Sequence, residues 1–267
     1  MLRRLSTAIS MTKSKPRFHG DPPLYLTSPL LEDAGLPHLF STRHLGGVRP
    51  WRDPSGPFDA RAMALFDKCG IGRDPAFLRQ VHGAAIVTAD RGGLAGQADV
   101  IMTDQRALPL AIFTADCLPI IVYDPGAHRL TMAHAGWRGT VEAAARVAAD
   151  ALTRAGGTPD RFVAAIGPAI GPCCYEVDEP VITPLAAAFP KEWPDWVAAV
   201  GPGKWMLDLA AANEHQLRAA GLTASRIDNS RLCTACRSDL FFSYRRGRGQ
   251  GRLVTIAAIP DGRDEAC

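Results

Sequence analysis

The chain has 267 residues, of which 47% are hydrophobic and 21% charged, so it is long enough to bury a sizeable core. A formal net charge of +3 gives no case for binding nucleic acid or a membrane surface, which needs a dense basic patch. Seven cysteines, an odd number in a chain too large to need disulfides, favour a reduced, cytoplasmic setting.

The N-terminal segment is rich in basic residues and carries no acidic residue before Asp21. It lacks the apolar face of an organelle-targeting helix, so we expect residues 1–23 to be a disordered leader, with Met11 as an alternative start. We expect residues 24–262 to form a single catalytic domain, followed by a short tail at residues 263–267.

Short β segments dominate the first half of the folded chain. A strand is predicted over residues 38–43, and a helix over residues 58–69 is predicted to end at Gly70. Six strands then follow with no helix between them, at residues 77–81, 85–89, 100–103, 110–114, 118–123 and 130–134. Because parallel strands need long crossover connections, this run excludes a series of βαβ units and predicts mixed or antiparallel sheets.

Helices and strands alternate in the second half. Apolar residues at helical spacing predict helices over residues 140–154, 178–189 and 207–220. Strands are predicted over residues 162–166, 240–244 and 253–259. With no repeat and no linker to divide the chain, this order predicts an α+β fold in one domain, with helices on the outer faces of the sheets.

Three predicted strand ends carry residues that bind transition metals, namely His82, Cys117 and His134. Two imidazoles and one thiolate suit a divalent metal, zinc first and copper second. Three protein ligands leave a fourth position for water, which is typical of catalytic rather than structural sites. Each residue alone also has a structural explanation, as a hydrogen-bonded histidine or a small core cysteine. The set predicts a metal-dependent enzyme but does not prove that the three residues meet.

Specific motifs occur in a fixed order along nearly all of the folded chain. The two most specific are Ala115-Asp116-Cys117-Leu118-Pro119 and His134-Ala135-Gly136-Trp137-Arg138-Gly139. The others are Ser41-Thr42-Arg43 with Gly46-Gly47, Arg79-Gln80-Val81-His82-Gly83, Ala98-Asp99, Ile166-Gly167-Pro168-Ala169-Ile170-Gly171, Tyr175-Glu176-Val177 and Phe242-Ser243-Tyr244-Arg245-Arg246. Together they closely resemble the YfiH-type family, also called the laccase-domain or polyphenol oxidoreductase family and, more recently, a purine nucleoside phosphorylase family.

The resemblance implies a four-layer αββα sandwich, similar to the catalytic domain of cytotoxic necrotizing factor toxins. It also implies a zinc site at His82, Cys117 and His134. Members of the family are described as phosphorolysing adenosine, inosine, guanosine and methylthioadenosine, and as deaminating adenosine. Older descriptions give copper-dependent oxidation of phenols.

Phosphorolysis needs an anion site, for which Arg43 and Arg138 are the candidates. Arg43 follows a predicted strand, and Arg138 precedes the predicted helix at residue 140, where backbone N–H groups would assist. Either residue alone could be an ordinary surface arginine; the resemblance favours the site. Arg245 and Arg246 are weaker candidates, because a strand that alternates faces would point at most one of them inward.

Asp116 is the nearest carboxylate in sequence to a candidate ligand, since it adjoins Cys117. Neighbouring strand residues point to opposite faces, so Asp116 is open to two interpretations, an orienting group or a buried turn residue. We assign it no role as a general base.

Two further groups of residues are open to interpretation. Cys173-Cys174 and Cys233-Thr234-Ala235-Cys236 include one C-x-x-C pair, but adjacent cysteines rarely share a tetrahedral ion, which favours buried thiols over a structural zinc site. The tryptophans Trp193, Trp196 and Trp205 lie in a proline-rich connection and are expected to belong to a lid or to the core.

The leading hypothesis is a zinc-dependent purine nucleoside phosphorylase with adenosine deaminase activity, acting on a nucleoside and phosphate as a monomer or homodimer. A copper-dependent phenol oxidase is the second hypothesis, although several copper centres need more histidine ligands than the seven histidines of this chain supply. A third is a hydrolase that edits peptidoglycan precursors with Cys117 as nucleophile. A non-enzymatic metal-binding module explains neither the open coordination position nor the arginines.

Overall fold

The computed structural model describes residues 15–46, 48–49, 56–247 and 251–262. Its strands, in chain order, are β1 (Arg17–His19), β2 (Tyr25–Thr27), β3 (His38–Ser41), β4 (Ala76–Arg79), β5 (Ile86–Thr88), β6 (Gly93–Gln97), β7 (Val100–Thr103), β8 (Leu110–Thr114), β9 (Leu118–Asp124), β10 (Arg129–Ala135), β11 (Val163–Ile166), β12 (Glu176–Asp178), β13 (Val197–Gly201), β14 (Lys204–Leu207), β15 (Ile227–Asn229) and β16 (Leu253–Ala257). Its α-helices are α1 (Pro29–Asp33), α2 (Ala60–Lys68), α3 (Trp137–Val141), α4 (Ala144–Arg154), α5 (Glu179–Ala188) and α6 (Leu209–Ala219).

Two large mixed sheets lie at the centre of the fold. One has seven strands in the order β1-β2-β3-β16-β8-β4-β6, and the other has six in the order β15-β11-β9-β10-β7-β5. Each combines antiparallel pairs with parallel ones, such as β4 with β8 in the first sheet and β5 with β7 in the second. A small sheet in the order β12-β14-β13 lies apart from both. The prediction of mixed sheets is confirmed.

The two large sheets pack face to face, and helices cover their outer faces. In β9, Ile121 and Tyr123 belong to the cluster between the sheets, whereas Ile120 and Val122 pack with α4 and α6. Because both faces of β9 are buried, its sequence is a nearly continuous apolar run. On the opposite side, Phe66 of α2 packs on the seven-stranded sheet. The result is an α+β four-layer αββα sandwich, as expected.

The helix predicted over residues 140–154 is divided in two. The chain forms the single-turn helix α3, leaves the helical conformation at Ala143, which has φ +59°, and resumes as α4. Left-handed backbone at a residue with a Cβ interrupts the helix, an effect that apolar spacing alone does not reveal.

Towards the two ends of the chain, the structure differs from what the sequence predicted. β1 lies within the segment predicted to be a leader and pairs with β2, so ordered structure begins before Leu24. Residues 1–14, including Met11, and the predicted tail lie outside the described residues. The strand predicted over residues 240–244 is wrong, because Phe241 N–H bonds to the Arg237 carbonyl and Gly247 N–H to the Ser243 carbonyl in successive turns. Among the helices described, none has the length and apolarity needed to cross a membrane.

Gly167, which follows β11, provides a test of how closely the two sheets approach. A Cβ at Gly167 would overlap the ring of Phe40 on β3 and lie 2.9 Å from Cγ of Pro119. We expect Gly167→Ala to lower the free energy of unfolding by about 1–3 kcal/mol, because the added methyl group overpacks this contact. Gly201→Ala is the matched control, since a Cβ there meets no atom within 4 Å, and it should change stability by less than about 0.5 kcal/mol. Urea unfolding measures both, and equal effects would contradict the close approach.

Candidate metal centre and cavity

Two connections of the chain and the end of one strand converge at one end of the sandwich. His82 lies between β4 and β5, and Cys117 lies between β8 and β9; both connections pass from the seven-stranded to the six-stranded sheet. His134 is near the end of β10, beside the start of β9, because these two strands are antiparallel. The structure therefore brings together three residues that are far apart in sequence.

The geometry of the three side chains fits a metal ion. One potential ligand atom from each of His82, Cys117 and His134 lies within 4.8 Å of the other two. The two imidazole rings are 4.9 Å apart, at an angle of 75°. Two nitrogen donors and one sulfur donor are typical of a zinc site with one position left for water or substrate. That these residues bind a metal stays a proposal, developed below.

A buried carboxylate, Asp99, orients two of the three candidate ligands. Its Oδ1 accepts a hydrogen bond from Nδ1 of His134 at 2.7 Å and from the backbone N–H of His82 at 2.9 Å. Its Oδ2 accepts from the backbone N–H of Gly83 at 2.7 Å. Because Nδ1 of His134 faces Asp99, Nε2 is the ring nitrogen available to a metal. The sequence alone indicates no role for Asp99, whose only signal there is the Ala98-Asp99 motif.

The electrostatics of the cluster favour a thiolate at Cys117. Burial by itself raises the pKa of this thiol, but His134 and His82 outweigh burial and lower the pKa to about 6. Burial by itself lowers the pKa of His134, but Cys117 and Asp99 raise it to about 9. Burial also opposes ionisation of Asp99, yet the hydrogen bonds from His134 and Gly83 hold its pKa below the ordinary value. The thiolate is the form of cysteine that binds metals.

Small side chains and unusual backbone leave room around the cluster. A Cβ at Gly136 would lie 2.9 Å from Sγ of Cys117 and 3.4 Å from Cδ2 of His82, so only glycine fits beside the candidate ligands. His82 and Asp116 have φ values of +67° and +88°, which are unfavourable for residues with a side chain. Such strain is common at functional sites, where the surrounding structure holds the backbone in place.

A cavity of about 930 Å³ opens onto the three residues. This volume lies in the range of small-molecule sites. Its described lining includes aromatic side chains that can stack on a flat ligand, namely Phe113, Trp137, Tyr175 and Tyr244. It also includes the arginines Arg49, Arg138, Arg245 and Arg252, and a single carboxylate, Asp116, among the described lining residues. Arginines outnumber carboxylates in this described lining, so it can bind an anionic group. The neighbouring aromatic rings can bind a planar group joined to it.

The two predicted anion-binding arginines lie in different places. Arg138 lines the cavity, and its guanidinium lies 4.3 Å from the centre of the Trp137 ring. Arg43 is not among the described residues that line the cavity, since its guanidinium donates to the carbonyl of Ser238 and lies over Phe242. The structure therefore does not support the prediction that Arg43 contributes to the anion site.

Of the two adjacent arginines, Arg245 lines the cavity. Its guanidinium lies 5.2 Å from the centre of the Tyr175 ring, whereas Nε of Arg246 donates to the carbonyl of Ala235. Of the two side chains, that of Arg245 thus points into the cavity. A turn of the backbone causes this orientation, and not the alternation of side chains along a strand. Arg49 and Arg252 were missed, because nothing in their local sequence distinguishes them from surface arginines.

Both carboxylate oxygens of Asp116 are hydrogen-bonded. Its Oδ1 accepts a hydrogen bond from the hydroxyl of Thr234 at 2.6 Å, and its Oδ2 accepts from the backbone N–H of Arg245 at 2.7 Å. Both carboxylate oxygens are therefore engaged in fixing two distant segments against the connection that carries Cys117. Asp116 is also buried and lies in a bend with positive φ, so its contacts are compatible with both interpretations left open by the sequence.

Trp193, Trp196 and Trp205 are not among the described lining residues of the cavity. Trp196 is buried and packs edge to face against Phe189 and His215, as a core residue does. Among the described residues, the tryptophan that lines the cavity is Trp137, next to Gly136.

Comparison with known proteins identifies relatives of the whole fold. The family model described as "Multi-copper polyphenol oxidoreductase laccase" matches residues 52–260. Purine nucleoside phosphorylase YlmD of Geobacillus stearothermophilus is 43% identical over 192 residues, which are 66% of this chain and 69% of the relative. The crystal structure of YlmD superposes with a TM-score of 0.80 at 33% identity, covering 91% of this chain and 99% of YlmD.

Two further relatives carry names of two activities. A purine nucleoside phosphorylase of Deinococcus radiodurans is 35% identical over 252 residues, covering 87% of this chain and 93% of the relative. Adenosine deaminase RL5, from an unknown prokaryotic organism, is 34% identical over 210 residues, covering 74% of this chain and 79% of the relative. With its motifs, its fold and most of its length matched, the chain belongs to the laccase-type polyphenol oxidoreductase family that includes YfiH.

Proposed function

We propose that this protein is a zinc-dependent purine nucleoside phosphorylase that also deaminates adenosine. The observation that carries the proposal is the meeting of His82, Cys117 and His134 at a cavity lined by arginines and aromatic rings. The names of its relatives, purine nucleoside phosphorylase and adenosine deaminase, support the same substrate class. Adenosine, inosine, guanosine and methylthioadenosine are the proposed nucleosides.

The residues present fit a zinc ion better than several copper ions. His82, Cys117 and His134 would hold it, with Asp99 fixing the orientation of His134. The thiolate favoured at Cys117 and the mixed nitrogen and sulfur donors are suited to zinc, and copper is the alternative for the same donors. When bound, such an ion supplies Lewis-acid chemistry, polarising an oxygen of water or substrate.

The remaining lining of the cavity can bind the two substrates of phosphorolysis. Arginines such as Arg138 and Arg245 can hold phosphate through charge-assisted hydrogen bonds, and aromatic rings such as Trp137 can stack on the purine. Burial and the nearby Cys117 raise the pKa of Tyr175, so its hydroxyl stays protonated and can donate a hydrogen bond. In the proposed reaction a phosphate oxygen bonds to C1′ of the ribose, the bond to the purine nitrogen breaks, and the purine leaves with the electron pair and takes up a proton.

Deamination of adenosine would use the same cavity. Water adds at C6 of the purine, and ammonia leaves after receiving a proton. Both proposed reactions require the base to be held flat and the cavity to admit either phosphate or water beside it. The arginine-rich wall supports phosphate, and the candidate metal residues support activation of water.

One observation favours a second candidate function. Cys117, His134 and Asp99 form a chain of contacts in which the histidine lies between a thiol and a carboxylate, an arrangement also found in cysteine hydrolases. A hydrolase with Cys117 as nucleophile, including one that edits peptidoglycan precursors, would keep its activity after the metal is removed. Loss of activity on chelation and its recovery with zinc would exclude this candidate.

The first prediction from the proposed function concerns the reaction itself. The purified full-length chain, loaded with zinc, should release hypoxanthine from inosine only when phosphate is present, together with ribose 1-phosphate. Chromatography measures the hypoxanthine and the ribose 1-phosphate that are formed. Metal analysis, together with oxygen uptake in the presence of a phenol, tests the copper-oxidase alternative. Absence of base and of sugar phosphate from every purine nucleoside, with the ion bound, would overturn the proposed function.

The second prediction tests Asp99 as the group that orients His134. Asp99→Asn keeps the shape of the side chain but removes the charge that holds the Nδ1 proton of His134. We expect zinc affinity or activity to fall by about 10–100-fold, the usual effect of losing such a partner. Asp160→Asn, at an exposed position, is the control and should leave both unchanged. Competition with a chromophoric chelator measures the affinity, and an unaltered value in Asp99→Asn would contradict this role.

The third prediction separates the two arginines expected from the sequence. Arg138→Gln should raise the KM for phosphate by about tenfold or more, because a charged hydrogen bond contributes about 1.5–3 kcal/mol. Arg43→Gln should change this KM by less than about threefold, because Arg43 does not line the cavity. Steady-state kinetics with phosphate varied at saturating inosine would decide. A larger effect at Arg43 than at Arg138 would place the phosphate elsewhere.

A further inference from the structure

A second cluster of metal-binding side chains lies outside the described lining of the cavity. One sulfur atom from each of Cys173, Cys174, Cys233 and Cys236 lies within 4.8 Å of the other three. Sγ of Cys236 is 3.3 Å from Sγ of Cys173 and 3.4 Å from Sγ of Cys174. All four are free cysteines, so the cluster consists of four thiols rather than disulfides.

The interpretation of these residues as buried thiols is wrong for two of them. Cys173 and Cys236 are exposed, and Cys233 is buried. Cysteine normally serves as a small apolar residue in a core, which gives no reason to gather exposed thiols at one point. Although Cys173 and Cys174 are adjacent in sequence, the sulfurs of both lie close to Sγ of Cys236, a member of the C-x-x-C pair.

The spacing of the sulfurs suits a tetrahedral ion. A Zn–S distance of about 2.3 Å places neighbouring sulfurs of a tetrahedral site roughly 3.8 Å apart. The separations of 3.3 and 3.4 Å, and the limit of 4.8 Å for all four, lie on either side of that value. The four sulfurs are therefore close enough together to surround one ion.

Backbone N–H groups point at the sulfur of Cys233 and hold it within the cluster. The N–H of Gly171 donates to Sγ of Cys233 at 3.2 Å, and the N–H of Cys236 donates to the same sulfur. In the C-x-x-C turn, the N–H of Arg237 bonds to the carbonyl of Cys233 at 3.0 Å. N–H groups directed at a sulfur favour its charged form, which is the form that binds a metal.

We propose that Cys173, Cys174, Cys233 and Cys236 bind a structural zinc ion through four thiolates, releasing their thiol protons to solvent. Four sulfur donors in a tetrahedron select zinc or an iron–sulfur centre, and a site with no open position is structural. This site is separate from His82, Cys117 and His134, and it does not depend on the proposed reaction.

The position of the cluster indicates what the ion stabilises. Cys174 precedes Tyr175, a lining residue of the cavity, and Cys233 precedes Thr234, which hydrogen-bonds to Asp116. Ala169 forms a β-bridge with Cys233, and Thr234 N–H bonds to the Ala169 carbonyl, so the two cysteine-bearing segments already run side by side. A zinc ion would fix these segments to each other and so hold one wall of the cavity in place.

Metal analysis of purified full-length protein tests the proposal. We expect wild-type protein to bind a second equivalent of zinc beyond that held by the candidate catalytic residues. The double variant Cys233→Ser/Cys236→Ser should lose one equivalent and keep the other, and His82→Ala should show the reverse selectivity. Cys69→Ser is the matched control, because Cys69 lies outside both clusters, and it should retain both equivalents. Cobalt substitution should give a strong thiolate-to-metal absorption that is much weaker in the double variant, because only the Cys117 thiolate would then remain as a sulfur ligand.

A second measurement covers the case in which the double variant does not fold. In wild-type protein, alkylation of the exposed Cys173 and Cys236 should be at least roughly tenfold slower with zinc than after chelation, because coordinated thiolates are protected. Mass spectrometry of the alkylated peptides measures the rates. Equal rates, disulfides among the four cysteines in the zinc-supplied protein, or iron in place of zinc would overturn the proposal. The double variant could lose one zinc equivalent as expected while neither it nor the wild-type protein shows phosphorolysis. That result would disprove the proposed function but not the proposed structural zinc site.

Discussion

The hydrogen bonds accepted by the buried carboxylate of Asp99 determine the arrangement of the candidate metal centre. A fully buried charge is costly unless it is hydrogen-bonded, and Asp99 is satisfied by the His134 ring and by backbone N–H groups of His82 and Gly83. These bonds hold strand β10, which carries His134, and the loop that carries His82 and Gly83 against the same carboxylate. They also set the tautomer of His134 and bring it beside the Cys117 thiol, whose pKa is lowered as a result.

The sandwich architecture explains why the cavity forms where it does. The chain crosses between the two large sheets at the connections that carry His82 and Cys117, and such connections lie at the ends of strands. Asp116 then fixes Thr234 and Arg245 against the second of these crossings. One end of the sandwich thus supplies the candidate metal residues, and Arg245 and Arg252, late in the chain, form the cationic lining together with Arg49 and Arg138.

The family name and the donor set of this chain point to different chemistry. A multi-copper description implies several copper centres, whereas His82, Cys117 and His134 offer the cavity two imidazoles and one cysteine, a donor set that fits a single ion. The second cluster is composed of thiols alone, which suits a closed structural ion. With both ions bound, the first would take part in the reaction and the second would stabilise the wall of the cavity.

Local sequence determined much of the fold, because apolar periodicity and turn residues act over a few positions. It predicted most of the long strands, including Leu110–Thr114 without error, the mixed character of the sheets, and His82, Cys117 and His134 as a set. It missed the helix break at Ala143 and the turns that replace the strand at residues 240–244. Long-range hydrogen bonds reach both regions, since the Gln216 side chain donates to the carbonyl of Thr140 and the Arg43 N–H donates to the carbonyl of Leu240. Only tertiary structure decided that Asp99 reaches His134, that Arg138 rather than Arg43 lines the cavity, and that four cysteines meet. These are contacts between residues distant in sequence, and no local pattern encodes the distance between them.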